Sequence, residues 1–257
     1  MPTKPLRPSK RASTAIAAVL ATATVAGGYI LLPTGEKVPP AVVLAMEALI
    51  PPWESEELRA YLDKIAKPPV WTICAGDTEN VRPGMVETRA GCAKRLRVRL
   101  IRDYYQPLTR CIAGFDKAPA SWGAMMISLA WNIGAGGACK STAARLGREG
   151  KFRESCDAAT AFNRAGGKVI RGLVLRREMG DATRIGEGEL CVSGLEMRAA
   201  TRAPAEALVA PAEPSPAPAA TPSAPATNGP PVAIFIGLAL ALAGGIGFLI
   251  WRRRKDK

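Results

Sequence analysis

The chain has 257 residues, a formal net charge of +13 and no histidine. Without an imidazole, Ser–His and Cys–His nucleophile pairs and the His-ligated zinc hydrolases are excluded, so any hydrolysis has to run on carboxylates. Hydrophobic residues are 48% and charged residues 22% of the chain, an ordinary balance for a protein with a packed core. The surplus charge is spread, +4 over residues 1–33, +6 over 34–195 and +3 over 196–257. It suits an anionic partner such as nucleic acid, lipid headgroups or bacterial wall polymer, and does not choose among them.

Residues 12–32, "ASTAIAAVLATATVAGGYILL", carry no charge and follow Lys4, Arg7, Lys10 and Arg11. A run of this length spans a bilayer, although it is rich in Ala, Thr and Gly. Two readings stand: an uncleaved anchor, or a signal peptide cut at the small residues Ala21, Thr22 and Ala23. Residues 41–50 form an apolar helix candidate that begins after Pro39 and Pro40 and must stop near Pro51 and Pro52. The next stretch holds the carboxylates Glu54, Glu56, Glu57 and Asp63, then a short strand candidate at 70–74, "VWTIC", with "IAKPP" as a hairpin tip.

Residues 88–105 interleave Lys and Arg with Leu, Val and Ile and read as a helix with a basic exposed face. Residues 121–133 are a strongly apolar helix closed by "GAGG", and 141–146, 153–163 and 169–179 are further helices. The result is a mainly helical α+β domain with one small sheet over residues 34–195. Residues 203–231 contain nine Pro and ten Ala and read as a semi-stiff linker, placed at 196–231 in the domain plan.

Residues 232–251, followed by Arg252, Arg253, Arg254 and Lys255, read as a transmembrane helix with a cytoplasmic basic tail. The same rule puts the basic N-terminus, 1–33, in the cytoplasm if the first span is uncleaved, with the middle domain on the periplasmic side of the inner membrane. The six cysteines, Cys74, Cys92, Cys111, Cys139, Cys156 and Cys191, all lie in that middle domain and include no Cys-x-x-Cys pair. Disulfides in an oxidising compartment are the reading, with no metal and no cofactor.

Glu54, "LRAYLD" ending at Asp63, and "VWTIC" with Thr72 are followed downstream by "SLAWNIGAG", "CKSTAARL" and "AGGKVIRGLVLRRE". In this order the blocks resemble the phage-type lysozymes, endolysins that cut the glycan strands of peptidoglycan, over nearly all of residues 41–195. The resemblance implies a two-lobed lysozyme-like domain, here flanked by transmembrane segments, and a muramidase activity that ends in host lysis. It makes Glu54 the general acid, Asp63 the second carboxylate and Thr72 the residue that positions water, with Glu56 and Glu57 as surface charges. Three departures stand out: Ser55 in place of the usual Gly, three extra residues around Lys67, Pro68 and Pro69, and "AGDT" in place of aromatic-Gly-His-Thr.

The chemistry fits these parts. Glycosidic cleavage needs a protonated carboxyl for the leaving oxygen and an ionised one to stabilise the cationic transition state or prepare water. Glu54, after an apolar helix and beside Trp53, is the carboxyl that desolvation would keep protonated. The arrangement resembles an inverting enzyme, and the carboxyl separation decides that point.

The resemblance also implies that Trp131, Asn132 and Ser141 border the saccharide cleft, a core role for Trp131 standing beside it, and that Arg176 and Arg177 are structural. It implies disulfides joining Cys74 to Cys92, Cys111 to Cys139, and Cys156 to Cys191. The weak first span is similar to the signal-arrest-release segments of some endolysins. The partners expected are peptidoglycan and membrane and not nucleic acid, since no zinc knuckle or basic zipper occurs. A non-enzymatic wall-binding or membrane-lesion protein is the rival reading.

Overall fold

The structure is a computed structural model, and it describes residues 2–21, 25–26, 28–64 and 66–209. The transmembrane helix expected at 232–251 and most of the expected linker lie outside these residues.

The N-terminal third departs most from expectation. Instead of one span over 12–32, the chain forms a helix α1 (Lys10–Ala21) and then a meander of β1 (Val25–Ala26), β2 (Tyr29–Leu31) and β3 (Lys37–Val38). The composition accounts for this. Gly28, at φ 88°, turns the chain between Ala26 and Tyr29, and Tyr29 to Leu31 pair in the extended form with β1 and β3. Helix α1 buries only Ala12 and Ile16. Among the described residues no helix is long and apolar enough to cross a membrane. Ser9 and Arg11 hydrogen-bond the far end of the domain at Ser193 and Glu189.

Helix α2 (Pro40–Leu44) starts on a proline whose fixed φ suits a first turn, continues as a π-helical stretch through Ala45–Leu49, and ends in a 3₁₀ turn at Pro51–Trp53. Strands β4 (Glu57–Asp63) and β5 (Val70–Cys74) then form an antiparallel hairpin, with a bulge between Glu57 and Tyr61. Ile73, Cys74 and Cys92 make a small core of their own under this hairpin. Asp77, from the "AGDT" departure, is 5% exposed and receives Arg95 at 2.7 Å and Arg99 at 3.2 Å. Its carboxylate ties the hairpin lobe to helix α3 (Arg89–Arg99), which Thr88 caps by accepting from the Gly91 N–H. The basic helix runs on through a π-helical stretch, Leu100–Tyr105, into α4 (Gln106–Cys111).

The helical lobe is wrapped around α5 (Ala120–Ile133), where every residue from Ser121 to Ala130 is buried. A helix apolar on all sides has to be enclosed. It is enclosed by α2, by α6 (Ala135–Lys140), α7 (Thr142–Arg148) and α8 (Phe152–Ala159), and, after the minor hairpin β6 (Arg164–Ala165) and β7 (Lys168–Val169) and helix α9 (Arg171–Arg177), by α10 (Glu187–Val209). Helix α10 continues well past residue 195, where the sequence was expected to become linker. The described residues hold three small sheets rather than one. The disulfides are Cys74–Cys92, Cys111–Cys139 and Cys156–Cys191, the pairing that the resemblance implied.

Trp122 is the largest side chain fully buried in this lobe. It lies against Phe115 and Phe152 and donates its indole N–H to Ser155 Oγ at 2.7 Å. Its ring fits only because Gly147 has no side chain, since a Cβ there would stand 2.1 Å from Trp122 Cζ2. Gly147→Ala is therefore expected to lower stability by about 1–3 kcal/mol through overpacking, measured as a drop in denaturant midpoint at unchanged slope.

Candidate functional site

Glu54 sits at the C-terminal cap of the 3₁₀ turn that ends the α2 segment, where the backbone turns extended at φ −104° and ψ 148°. Its position is fixed from two sides. Trp53 donates its indole N–H to the Ile185 carbonyl at 2.9 Å, and the Arg184 guanidinium lies 3.9 Å from the Trp53 ring centroid. The Glu54 side chain, 28% exposed, turns toward the end of α5 and toward α9. Its Oε1 accepts from Trp131 Nε1 at 3.2 Å and from Arg176 Nη1 at 2.7 Å. Among the described residues nothing hydrogen-bonds Oε2. Glu54 also lines a cavity of about 160 Å³ together with Glu47, Glu56 and Leu96.

Behind Arg176 lies a buried charge cluster. Arg176 Nε donates to Glu187 Oε1 at 3.3 Å, Arg177 Nη1 donates to the same oxygen, and Ser128 Oγ reaches it at 2.7 Å. The Arg177 and Glu187 side chains are wholly buried and that of Arg176 is 6% exposed. Two guanidinium groups thus face two carboxyl groups. Asn132 is drawn in as well, its Oδ1 accepting from Arg177 Nη2 at 2.5 Å. The donors at Glu54 are charged and polar, so this carboxyl is held by hydrogen bonds, and not by the apolar enclosure expected from its neighbours in sequence.

Asp63 and Thr72 come from the hairpin. Asp63 pairs with Val70 and Tyr61 with Thr72. Cross-strand partners share a face and so do alternate residues, which puts Asp63 and Thr72 on one face as diagonal neighbours. Thr72 is buried, and its hydroxyl donates to the Val70 carbonyl at 3.3 Å. The Tyr61 phenol between them is pushed up by burial, then by the charges of Asp63 and Glu57. Ser141 serves elsewhere. It is 6% exposed, and its hydroxyl accepts from the Ala144 N–H, capping α7, and donates to the Ala138 carbonyl near the end of α6.

Sequence reasoning missed Arg176 as a direct partner of Glu54, and it missed Glu187 entirely. A signal for the second existed: two adjacent arginines on a short apolar helix need an acid, and Glu187 and Glu189 are the acids that open the next helix.

A helical lobe closed around one buried helix and joined to a β-hairpin lobe is the lysozyme-like α+β fold. A model of the Phage lysozyme family matches residues 51–180, half of the chain, and the chain belongs to that family and is a glycosidase of the muramidase kind. The SAR-endolysin of Enterobacteria phage P21 is 32% identical over 128 residues, covering 49% of this chain and 70% of that protein. The SAR-endolysin of Bacteriophage PS119 is 30% identical over 144 residues, covering 55% and 77%. Among solved structures, the active form of the P1 phage endolysin aligns with a TM-score of 0.46 at 20% identity, over 75% of this chain and 97% of that one. Glu187 lies beyond the matched span.

Proposed function

We propose that the chain is an endolysin that hydrolyses the β-1,4 bond between N-acetylmuramic acid and N-acetylglucosamine, with Glu54 as general acid. The observation that carries this reading is the orientation of Glu54: one oxygen occupied by Trp131 and Arg176, the other without a partner among the described residues. Oε1 accepts in the neutral and the ionised form alike, so both donors are kept when a proton sits on Oε2. A bound saccharide covers the exposed part of the carboxyl, and loss of water there favours the neutral form that can protonate the leaving oxygen. Asp63 supports the cationic transition state or, with Thr72 to position it, a water on the opposite sugar face.

Digestion of membrane-free, purified peptidoglycan tests the reading against its rival. Soluble muropeptides support glycan cleavage. Vesicle leakage with no soluble muropeptide would instead make this a membrane-lesion protein.

The membrane part of the proposal concerns residues 12–32. The SAR-endolysin relatives support a membrane-tethered state, in which this weakly apolar segment lies in the inner membrane before lysis and the folded domain is periplasmic. A second anchor at residues 232–251 is supported by sequence alone, through its apolar run and the basic residues after it. Docked α1 is then the released form. Ala17, Ala18 and Ala21 are exposed on α1, so leucine at all three leaves the docked packing intact. The same change strengthens membrane residence by roughly half a kcal/mol per residue. The triple variant is expected to delay lysis at unchanged activity of the purified protein. Unchanged lysis timing would argue for an ordinary cleaved signal peptide.

A further inference from the structure

We propose that Trp131 is a positioning residue for the acid: its indole N–H, together with Arg176, makes Oε1 of Glu54 the permanent hydrogen-bond acceptor, so that the catalytic proton rides on Oε2. The inference rests on the reading of Glu54 as the acid. It assigns Trp131 a task different from the saccharide-facing or core packing role open to it from sequence.

The geometry behind it is over-determined. Trp131 ends the buried helix α5 and its ring is held on two sides, by Tyr104 at a centroid distance of 5.4 Å and by the Arg99 guanidinium 5.3 Å from the ring centroid. Arg99 is itself fixed by Asp77 at 3.2 Å and Asp103 at 3.3 Å. An indole clamped in this way cannot rotate its N–H away from Glu54 without giving up the ring contacts.

Arg176 alone would not fix the proton, because the Glu54 carboxyl can turn to offer one guanidinium either of its oxygens. A second donor, rigid and approaching from another helix, removes that freedom. The same contacts join the lobes, since Asp77 belongs to the hairpin lobe that carries Asp63, and Arg99 and Trp131 lead from it to Glu54. Opening between the lobes would therefore loosen the acid as well as separate the carboxylates.

The test removes the N–H and keeps the ring. Trp131→Phe is one variant. The other is full-length protein with 3-benzothienylalanine at position 131, which preserves the bicyclic shape and lacks the donor. Other charged groups around Glu54 are unchanged in both: Arg176 in contact with it, Arg177 and Glu187 behind Arg176, Arg99 across the indole, Glu47 and Glu56 in the adjoining cavity, and Asp63 on the hairpin.

Loss of the donor leaves the Glu54 carboxyl free to turn and should lower kcat about tenfold in both variants. KM should stay within about twofold of the parent. A raised KM with kcat unmoved would make Trp131 a saccharide-binding surface, and no change in either would leave it a packing residue. Both results overturn the proposal. Failure of the underlying reading looks different: Glu54→Gln would then retain activity while the Trp131 variants behaved in any of these ways.

Discussion

Glu54→Gln is expected to abolish muropeptide release from purified peptidoglycan, a loss on the order of 10³-fold or more, while the protein stays folded. The amide keeps the shape of the carboxyl, and its carbonyl oxygen still accepts from Trp131 and Arg176. What it cannot do is give a proton to a glycosidic oxygen. Some stability is lost because Arg176 gives up one of its two carboxylates, but Glu187 retains it. Circular dichroism and thermal unfolding separate the two effects. Asp63→Asn should be nearly as severe for activity. Glu56→Gln and Glu57→Gln should be close to neutral, since Glu56 faces Arg89 across an exposed pair at 3.7 Å and Glu57 is exposed at the start of β4. A dead Glu57→Gln variant beside an active Glu54→Gln variant would mean that the acid had been misassigned.

Glu187→Gln should be the most damaging conservative change to stability. The side chain is wholly buried and one of its oxygens takes Arg176, Arg177 and Ser128. Neutralising it leaves Arg177 with only Asn132 and the Phe162 carbonyl, neither of which carries charge. Breaking a buried pair from one side costs about 3–5 kcal/mol, because the remaining charge is stranded out of water. At roughly 2–4 °C per kcal/mol for a domain of this size, the unfolding midpoint should fall by about 10 °C. Activity measured well below that midpoint should fall too, since Arg176 loses the anchor that holds it against Glu54. A midpoint within a degree or two of the parent would show that the cluster contributes little.

The hairpin and the central helix were legible in sequence because each is a local pattern. "VWTIC" is a β-branched and aromatic run bounded by prolines and a Gly turn, and it forms β5 as expected. The strongly apolar run after Pro119 forms α5. The docked form of the N-terminal segment was not legible, for the opposite reason. Its Ala, Thr and Gly content suits a weak bilayer span and a short docked helix equally, and the docking rests on the distant partners Ser193 and Glu189.

Long-range ion pairing explains the gaps at the site as well. Glu54 and Asp63 were reached through their place in a motif, but Arg176 is 122 residues from Glu54 and no periodicity links them. Ser141 shows the converse. Its motif block was read as a cleft border, while its local sequence, a Ser just ahead of "TAARL", is that of an N-cap, and capping is what its hydroxyl does.

The most direct test of the account is the identity of the new reducing end in products released from purified peptidoglycan by the full-length protein. Borohydride reduction followed by mass spectrometry reads it. Hydrolysis by a Glu54 acid at the proposed bond predicts reducing N-acetylmuramic acid, converted to its alcohol, in every soluble fragment and absent from the Glu54→Gln digest. Fragments ending in reducing N-acetylglucosamine, or in a muramic residue carrying an internal anhydro ring and no added water, would contradict it.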